Sequence, residues 1–298
     1  MKQKGIRRYK IAQQDYEMSM LPQTHRAVFF DVLKLQWRKL LILGLILAAF
    51  SLPMILLNLA RDGYAYGLIL LSGDATEDVK NQAGMQILSA DVIFSALQTI
   101  PFMIYSVGLA GVMRVLRQFA WGENVHIPTD FGKGVKDNFR PMLLLAFLSG
   151  AIIALCYFLY YLAICYQTDM MWILCIMPMA FSAMFVLPIL VISIVMIPVY
   201  SSPIIHIFRM ALWVYVKGTW KVLLAVLLTV ALRTLGMLPS TFFHFVFGLL
   251  ASLAAPTVLL GWTLFCYHRF DKDLNPDFCP ELVGRGLYIP PEEGSEEL

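Results

Sequence analysis

Three short stretches decide how this chain folds: Lys34-Leu35-Gln36-Trp37-Arg38, Lys136-Asp137-Asn138-Phe139-Arg140 and Lys217-Gly218-Thr219-Trp220-Lys221. Each sets a lysine three residues before an aromatic ring and a cation directly after it, and each stands just ahead of a long apolar run. The spacing suits a helix at the boundary of water and lipid, where the ring lies at headgroup depth and the cations reach water. Three copies predict three similar units, each an interfacial helix, a crossing out and a crossing back.

The residues upstream of each copy support that pattern. Val28, Phe29, Val32, Leu33 and Leu35 alternate with Arg26, Asp31 and Lys34, and Thr24 is placed to cap the helix. Phe131 and Val135 sit among Asp130, Lys133, Lys136 and Asp137 before the second copy. Met210, Trp213, Val214 and Val216 sit beside Arg209 and Lys217 before the third. Apolar residues at helical spacing with cations opposite describe a helix lying in the membrane plane.

Composition sets the class. Of 298 residues, 59% are hydrophobic and 14% charged, and the mean hydropathy is +0.70. Soluble domains carry about 25% charged residues, so the bilayer is the solvent here. A crossing needs about 20 apolar residues. Residues 40–60, 92–113, 142–166, 170–205, 222–238 and 242–266 qualify, which predicts an all-α membrane protein with six transmembrane helices in three pairs. The fourth run is longer than a straight crossing requires and holds Pro178, Pro188 and Pro198, so it reads as one tilted or kinked helix ending near Tyr200, with a re-entrant break as the alternative.

Net charge is +3, and its distribution carries the information. Twenty arginines and lysines fall in the two termini and the two inner connectors, against two, Arg61 and Lys80, in the outer segment 61–91. The bias places both termini in the cytoplasm. Residues 1–23 form a polar N-terminal tail, residues 24–268 the membrane domain, and residues 269–298 an acidic, proline-containing tail read as solvated. The N-terminal region is too long and polar for a secretory signal, so the first crossing is expected to be a retained anchor.

The segment after the second crossing carries a more specific pattern. It reads Gly108-Leu-Ala-Gly111, Arg114-x-x-Arg117, Trp121-Gly122-Glu123, Asp130-Phe131, Gly134, Lys136 and Asn138. This order resembles the YesL-like family of integral membrane proteins, found mainly in the plasma membrane of Gram-positive bacteria. The resemblance covers residues 108–140, and the chain departs from the family in its long N-terminal tail and acidic outer loop, residues 61–91. It implies six helices, gene neighbourhoods near carbohydrate uptake systems, and no known catalytic residues. On physical grounds alone, Gly108 and Gly111 offer a face for close helix approach, Gly122 supplies the positive φ that ends a short helix over 112–121, and Asp130 or Thr129 caps the next one. Arg114, Arg117, Trp121, Gly122, Glu123, Asp130 and Phe131 thus form a connector with the shape of a partner-docking surface.

No reaction chemistry emerges. There is no H-E-x-x-H, no G-x-S-x-G and no pair of intramembrane aspartates, and the histidines lack partners at ligand spacing. No cofactor, metal or nucleic acid is expected. The five cysteines lack metal spacing, and a Cys165–Cys175 disulfide stays open. Arg233 is the one clear charge inside a crossing, and it either reaches the outer headgroups or pairs with Asp91. Two function classes remain. The leading one is a non-catalytic membrane component, an accessory or regulator linked to carbohydrate uptake, with transporter subunits or a second copy as partner besides the bilayer. The other is a transporter or channel in its own right, favoured by the proline-broken fourth helix and Arg233.

The charge bias makes the topology testable. In a cysteine-free background, Ser72→Cys should react with an impermeant thiol reagent in intact cells and Asn124→Cys should not, and the reverse pattern overturns the orientation.

Overall fold

A computed structural model describes residues 22–73, 75–200, 202–234 and 241–288, the side chains of 225–234 and 241–244 excepted. Every regular element among the described residues is helical. The helices are α1 (His25–Ser72), α2 (Glu77–Leu97), α3 (Thr99–Ala120), α4 (Ile127–Tyr166), α5 (Asp169–Phe181), α6 (Leu187–Met196), α7 (Ile204–Thr234), α8 (Thr241–Asp273) and α9 (Asn275–Phe278). A π-helical segment, Ser182–Val186, joins α5 to α6. Five stretches are long and apolar enough to cross a membrane: His25–Ser72, Glu77–Ala120, Ile127–Tyr166, Asp169–Met196 and Phe245–Asp273. This is the architecture of an all-α membrane protein. Of the fifth crossing expected from sequence, 222–238, residues 222–234 form the last part of α7 and the remainder lies outside the described residues.

Helices adjacent in the chain are neighbours in space, and α8 returns to pack along α1. Small residues set that closure. Gly44 of α1 lies so close to the Leu253 main chain of α8 that a methyl group there would overlap its carbonyl oxygen. About two turns further on, the Ser51 and Ser252 hydroxyls share a hydrogen bond of 2.9 Å. The strongest packing joins α3 to α4 and α8 to α1, across the boundaries of the expected units, followed by α1 to α3 within the first of them.

Prolines explain where the long helices are interrupted. Pro101 cannot donate to the Leu97 carbonyl, so the hydrogen-bond ladder is interrupted at Gln98 between α2 and α3 while the helical path continues. Pro188 likewise leaves the Met184 carbonyl free inside the π segment, and the Tyr215 hydroxyl of α7 takes it. The fourth apolar run is therefore a single interrupted helix path that ends at Met196.

Several boundaries differ from the sequence reading. The outer segment 61–91 is a helical hairpin rather than a loop, because α1 continues to Ser72 and α2 starts at Glu77. A bidentate pair holds its base: Arg61 Nε and Nη2 donate to Asp91 Oδ1 and Oδ2 at 2.6 and 3.0 Å. Ser72 is buried in this hairpin, so the exposed Asn81 is the better outer labelling position. The expected short helix over 112–121 is the last part of α3. The interfacial stretches ending at Trp37 and Phe139 run into their crossings as unbroken helix, α1 and α4, where an in-plane helix would need a sharp bend. The third stretch does have a break, at Gly218 (φ −129°, ψ 21°) inside α7.

The close approach of α1 and α8 yields a direct test. Gly44→Ala should lower thermal stability in detergent by about 1–3 kcal/mol, because the neighbouring atom is backbone and cannot move aside. Gly132→Ala, in open space on α4, should not introduce any such clash, and equal losses in the two variants would refute this packing account.

Candidate functional site

The best-buried part of the molecule lies at one end, called basal here, where α1 and α4 begin and α3 and α8 end. Its centre is the last part of α3. From Gly108 through Met113 every residue is buried, as are Val115, Leu116, Gln118, Phe119 and Ala120. The two glycines of this stretch meet aromatic side chains, Gly108 against Phe50 of α1 and Gly111 against Phe131 of α4. Gly134 of α4 lies opposite the Ala110 carbonyl and Gly111 Cα, so the glycine face expected from sequence is a true helix contact.

Burial on this scale favours partners for the polar groups of this stretch, and the two arginines each find one, although Arg114 Nε, Arg117 Nε and Gln118 Oε1 stay without a hydrogen bond among the described residues. Arg114 forms an ion pair with Asp137. Arg117 Nη1 donates to the Pro198 carbonyl at 2.6 Å, fastening α3 to the turn after α6. The guanidinium of Arg117 also lies 4.6 Å from the centre of the Trp121 ring. At Gly122 (φ +67°) the chain turns away, as its position in the sequence predicts. The helix that follows starts at Ile127, ahead of both expected caps, Thr129 and Asp130. Asp130 acts from inside its first turn, its Oδ2 accepting the His126 main-chain N–H at 2.8 Å.

The C-terminal segment completes the site. Residues 269–288, read from sequence as the start of a solvated tail, fold back onto the basal end. Phe270, Leu274 and Asn275 are buried, and Cys279, Leu282 and Leu287 pack against the core. Arg285 lies 3.9 Å from the centre of the Trp121 ring and reaches Glu123 Oε1 at 3.3 Å. Gly286 (φ +89°) presses against the α3 terminus, where a side chain would overlap the Ala120 carbonyl. The Tyr288 N–H then donates to the Pro22 carbonyl at 3.0 Å, joining the two described ends of the chain. The connector is therefore covered in part by the chain itself, with Gly122, Asn124 and His126 left exposed.

A polar relay ties these pieces together. The Tyr200 hydroxyl donates to Asn275 Oδ1 at 2.5 Å, Asn275 Nδ2 donates to Asp271 Oδ1 at 2.8 Å, and Asp271 Oδ2 meets His25 Nε2 at 3.1 Å. It links α1, α8, α9 and the turn before α7. Burial pushes the Tyr200 phenol well above its ordinary value, with the Cys279 thiol and the Asp271 carboxylate adding to the rise. Nearby, Arg269 and Asp273 approach to 2.8 Å, but Arg269 Nη2 and Asp273 Oδ2 lack hydrogen-bond alignment, so the pair acts through charge alone. The recess among His25, Tyr200, Tyr267, Asp271, Asn275 and Arg285 measures about 10 Å³. That is room for about one water. The arrangement can lock elements together.

The other sequence-derived residues fall outside this centre. Asp91 is engaged by Arg61, and the side chain of Arg233 lies outside the described residues. All nine interfacial anchors, Lys34, Trp37, Arg38, Lys136, Phe139, Arg140, Lys217, Trp220 and Lys221, are exposed. Cys165 and Cys175 are free thiols, the first exposed and the second buried. Sequence reasoning missed the relay and the strap because the C-terminal acids drew attention away from Leu274, Leu282 and Leu287. No family model, curated protein or solved structure matches the chain.

Tyr200→Phe isolates the relay. It leaves Asn275 Oδ1 buried without its donor and should cost about 1–3 kcal/mol, measured by thermal unfolding in detergent. The pH dependence has a definite sign. The unfolded phenol ionises near pH 10 while the folded one stays neutral, so the contribution of Tyr200 is complete below about pH 10 and is lost as pH rises further. The variant should show a shallower alkaline loss of stability, and an unchanged alkaline limb would contradict the burial of this hydroxyl.

Proposed function

We propose that this chain is a non-catalytic, multi-pass protein of the bacterial plasma membrane, an accessory or regulatory component of a carbohydrate uptake system. In this reading it is a YesL-like protein with six crossings, both termini in the cytoplasm and the basal end facing inward. The observation that carries the reading is where order is concentrated. The α3–α4 connector, the relay and the C-terminal strap build a rigid hub at one end, and the recess within it holds about one water. A rigid hub at the membrane surface suits contact with another subunit better than passage of a solute. Seven of the nine exposed anchors lie in the basal half of their helices, with Trp220 and Lys221 just past the middle of α7, and this bias supports the inward orientation.

One observation favours the transporter reading. The π segment between Pro178 and Pro188 interrupts a crossing, and irregular helix at bilayer depth is a recurrent feature of substrate pathways. Purification of the tagged full chain from its native membrane separates the two. Recovery of transporter subunits in fixed proportion supports the accessory role, whereas a lone homo-oligomer that moves sugar into liposomes replaces it with the transporter role.

A further inference from the structure

The three copies of the lysine-aromatic-cation spacing differ in their acidic neighbours. In the first, Asp31 lies one turn from Lys34. In the second, Asp130 and Asp137 share the helix, and Asp137 is paired with Arg114. The third copy has none: α7 contains Arg209, Lys217, Lys221 and Arg233 and not one aspartate or glutamate.

Its side chains are also set out differently. Arg209, Trp213, Lys217 and Lys221 recur every four residues, and all four are exposed. Lys217 Nζ lies 4.7 Å from the Trp213 ring centre and, among the described residues, donates only to a main-chain carbonyl, that of Asp273, at 3.4 Å. Along the neighbouring flank run Leu212, Val216 and Trp220, the last 84% exposed. The carboxylates of α8 nearest this face are already engaged, Asp271 by His25 and Asp273 by Arg269. At Gly218 the helix breaks, and a side chain there would overlap the Arg269 guanidinium. The break separates Arg209, Trp213 and Lys217 from Trp220 and Lys221, so the exposed side chains stand on both sides of a kink.

We infer that the exposed face of α7 from Arg209 to Lys221 is a docking surface for anionic phospholipids of the leaflet at the basal end. The apolar flank requires an occupant with acyl chains, and the unopposed cations require one with a net negative headgroup. A zwitterionic lipid meets the first demand alone, and a free phosphate only the second. The inference rests on the membrane reading above but not on the accessory role.

The purified full chain is reconstituted into phosphatidylcholine vesicles with and without phosphatidylglycerol, and tryptophan quenching by brominated forms of the two lipids is compared. Brominated phosphatidylglycerol should quench more strongly, and the excess should vanish in a Trp213→Phe/Trp220→Phe variant. Each of Arg209→Gln, Lys217→Gln and Lys221→Gln should weaken the preference about fivefold. High salt should weaken it as well, while Lys34→Gln should leave it intact. Equal quenching by the two lipids, or a preference untouched in the triple glutamine variant, overturns the docking surface. Loss of the preference on adding soluble glycerol phosphate would also overturn it, in favour of a simple phosphate site. A chain that fails to float with vesicles of either composition refutes the membrane reading itself.

Discussion

The structure depends on one constraint: the last turns of α3 are enclosed by protein although they carry two arginines. Burying a guanidinium without a partner costs far more than a single apolar contact returns. Arg114 and Arg117 therefore dictate where their neighbours stand. Asp137 must face Arg114 from α4, which the close glycine contact at Gly111 and Gly134 permits. The Pro198 carbonyl must face Arg117, which fixes the turn between α6 and α7. Trp121 then lies between two cationic side chains, Arg117 from its own helix and Arg285 from the strap. Remove either arginine's partner and three elements lose their common reference.

The same logic of satisfied polar groups runs through the apolar layer. A proline in a crossing removes a donor and leaves a carbonyl that lipid cannot serve. At Met184 the answer is a hydroxyl from the neighbouring helix, so the interruption of one crossing is tied to the placement of Tyr215 on another. At the far end of the bundle, Arg61 and Asp91 neutralise each other across the base of the α1–α2 hairpin. The few polar side chains in these helices thus act as registration points between elements.

Much of the fold was legible in the sequence because its signals are local. Helical class and most crossings follow from apolar run length, the α1 start from Thr24, whose hydroxyl accepts the Ala27 N–H at 3.2 Å, and the connector turn from Gly122. The site was legible only in part. Arg114, Arg117, Trp121 and Phe131 are legible as a connector, and all four are half-buried, but their contacts are not, because sequence shows a cation without showing the carboxylate or carbonyl that will meet it. The hairpin over 61–91 was hidden by its acids, although Glu77 and Asp78 favour a helix start. The strap was hidden for a related reason. Its apolar residues are too sparse to give a periodic signal, and they become meaningful only against the α3 terminus.

The fate of the three repeated stretches separates two properties that share one sequence pattern. A lysine, an aromatic ring and a following cation record depth, and all three copies place those side chains outward. They do not encode a joint between an in-plane helix and a crossing. In α1 and α4 the hydrogen-bonded helix simply continues, even past Pro141, because nothing competes with the next intrahelical bond. In α7 something does. Gly218 lacks a side chain where the Arg269 guanidinium needs the space, and the charge of Arg269, buried beside Asp273, makes that space costly to give up. The joint is thus set by a contact from α8, some fifty residues away in the chain, and a pattern confined to five residues has no means of carrying it.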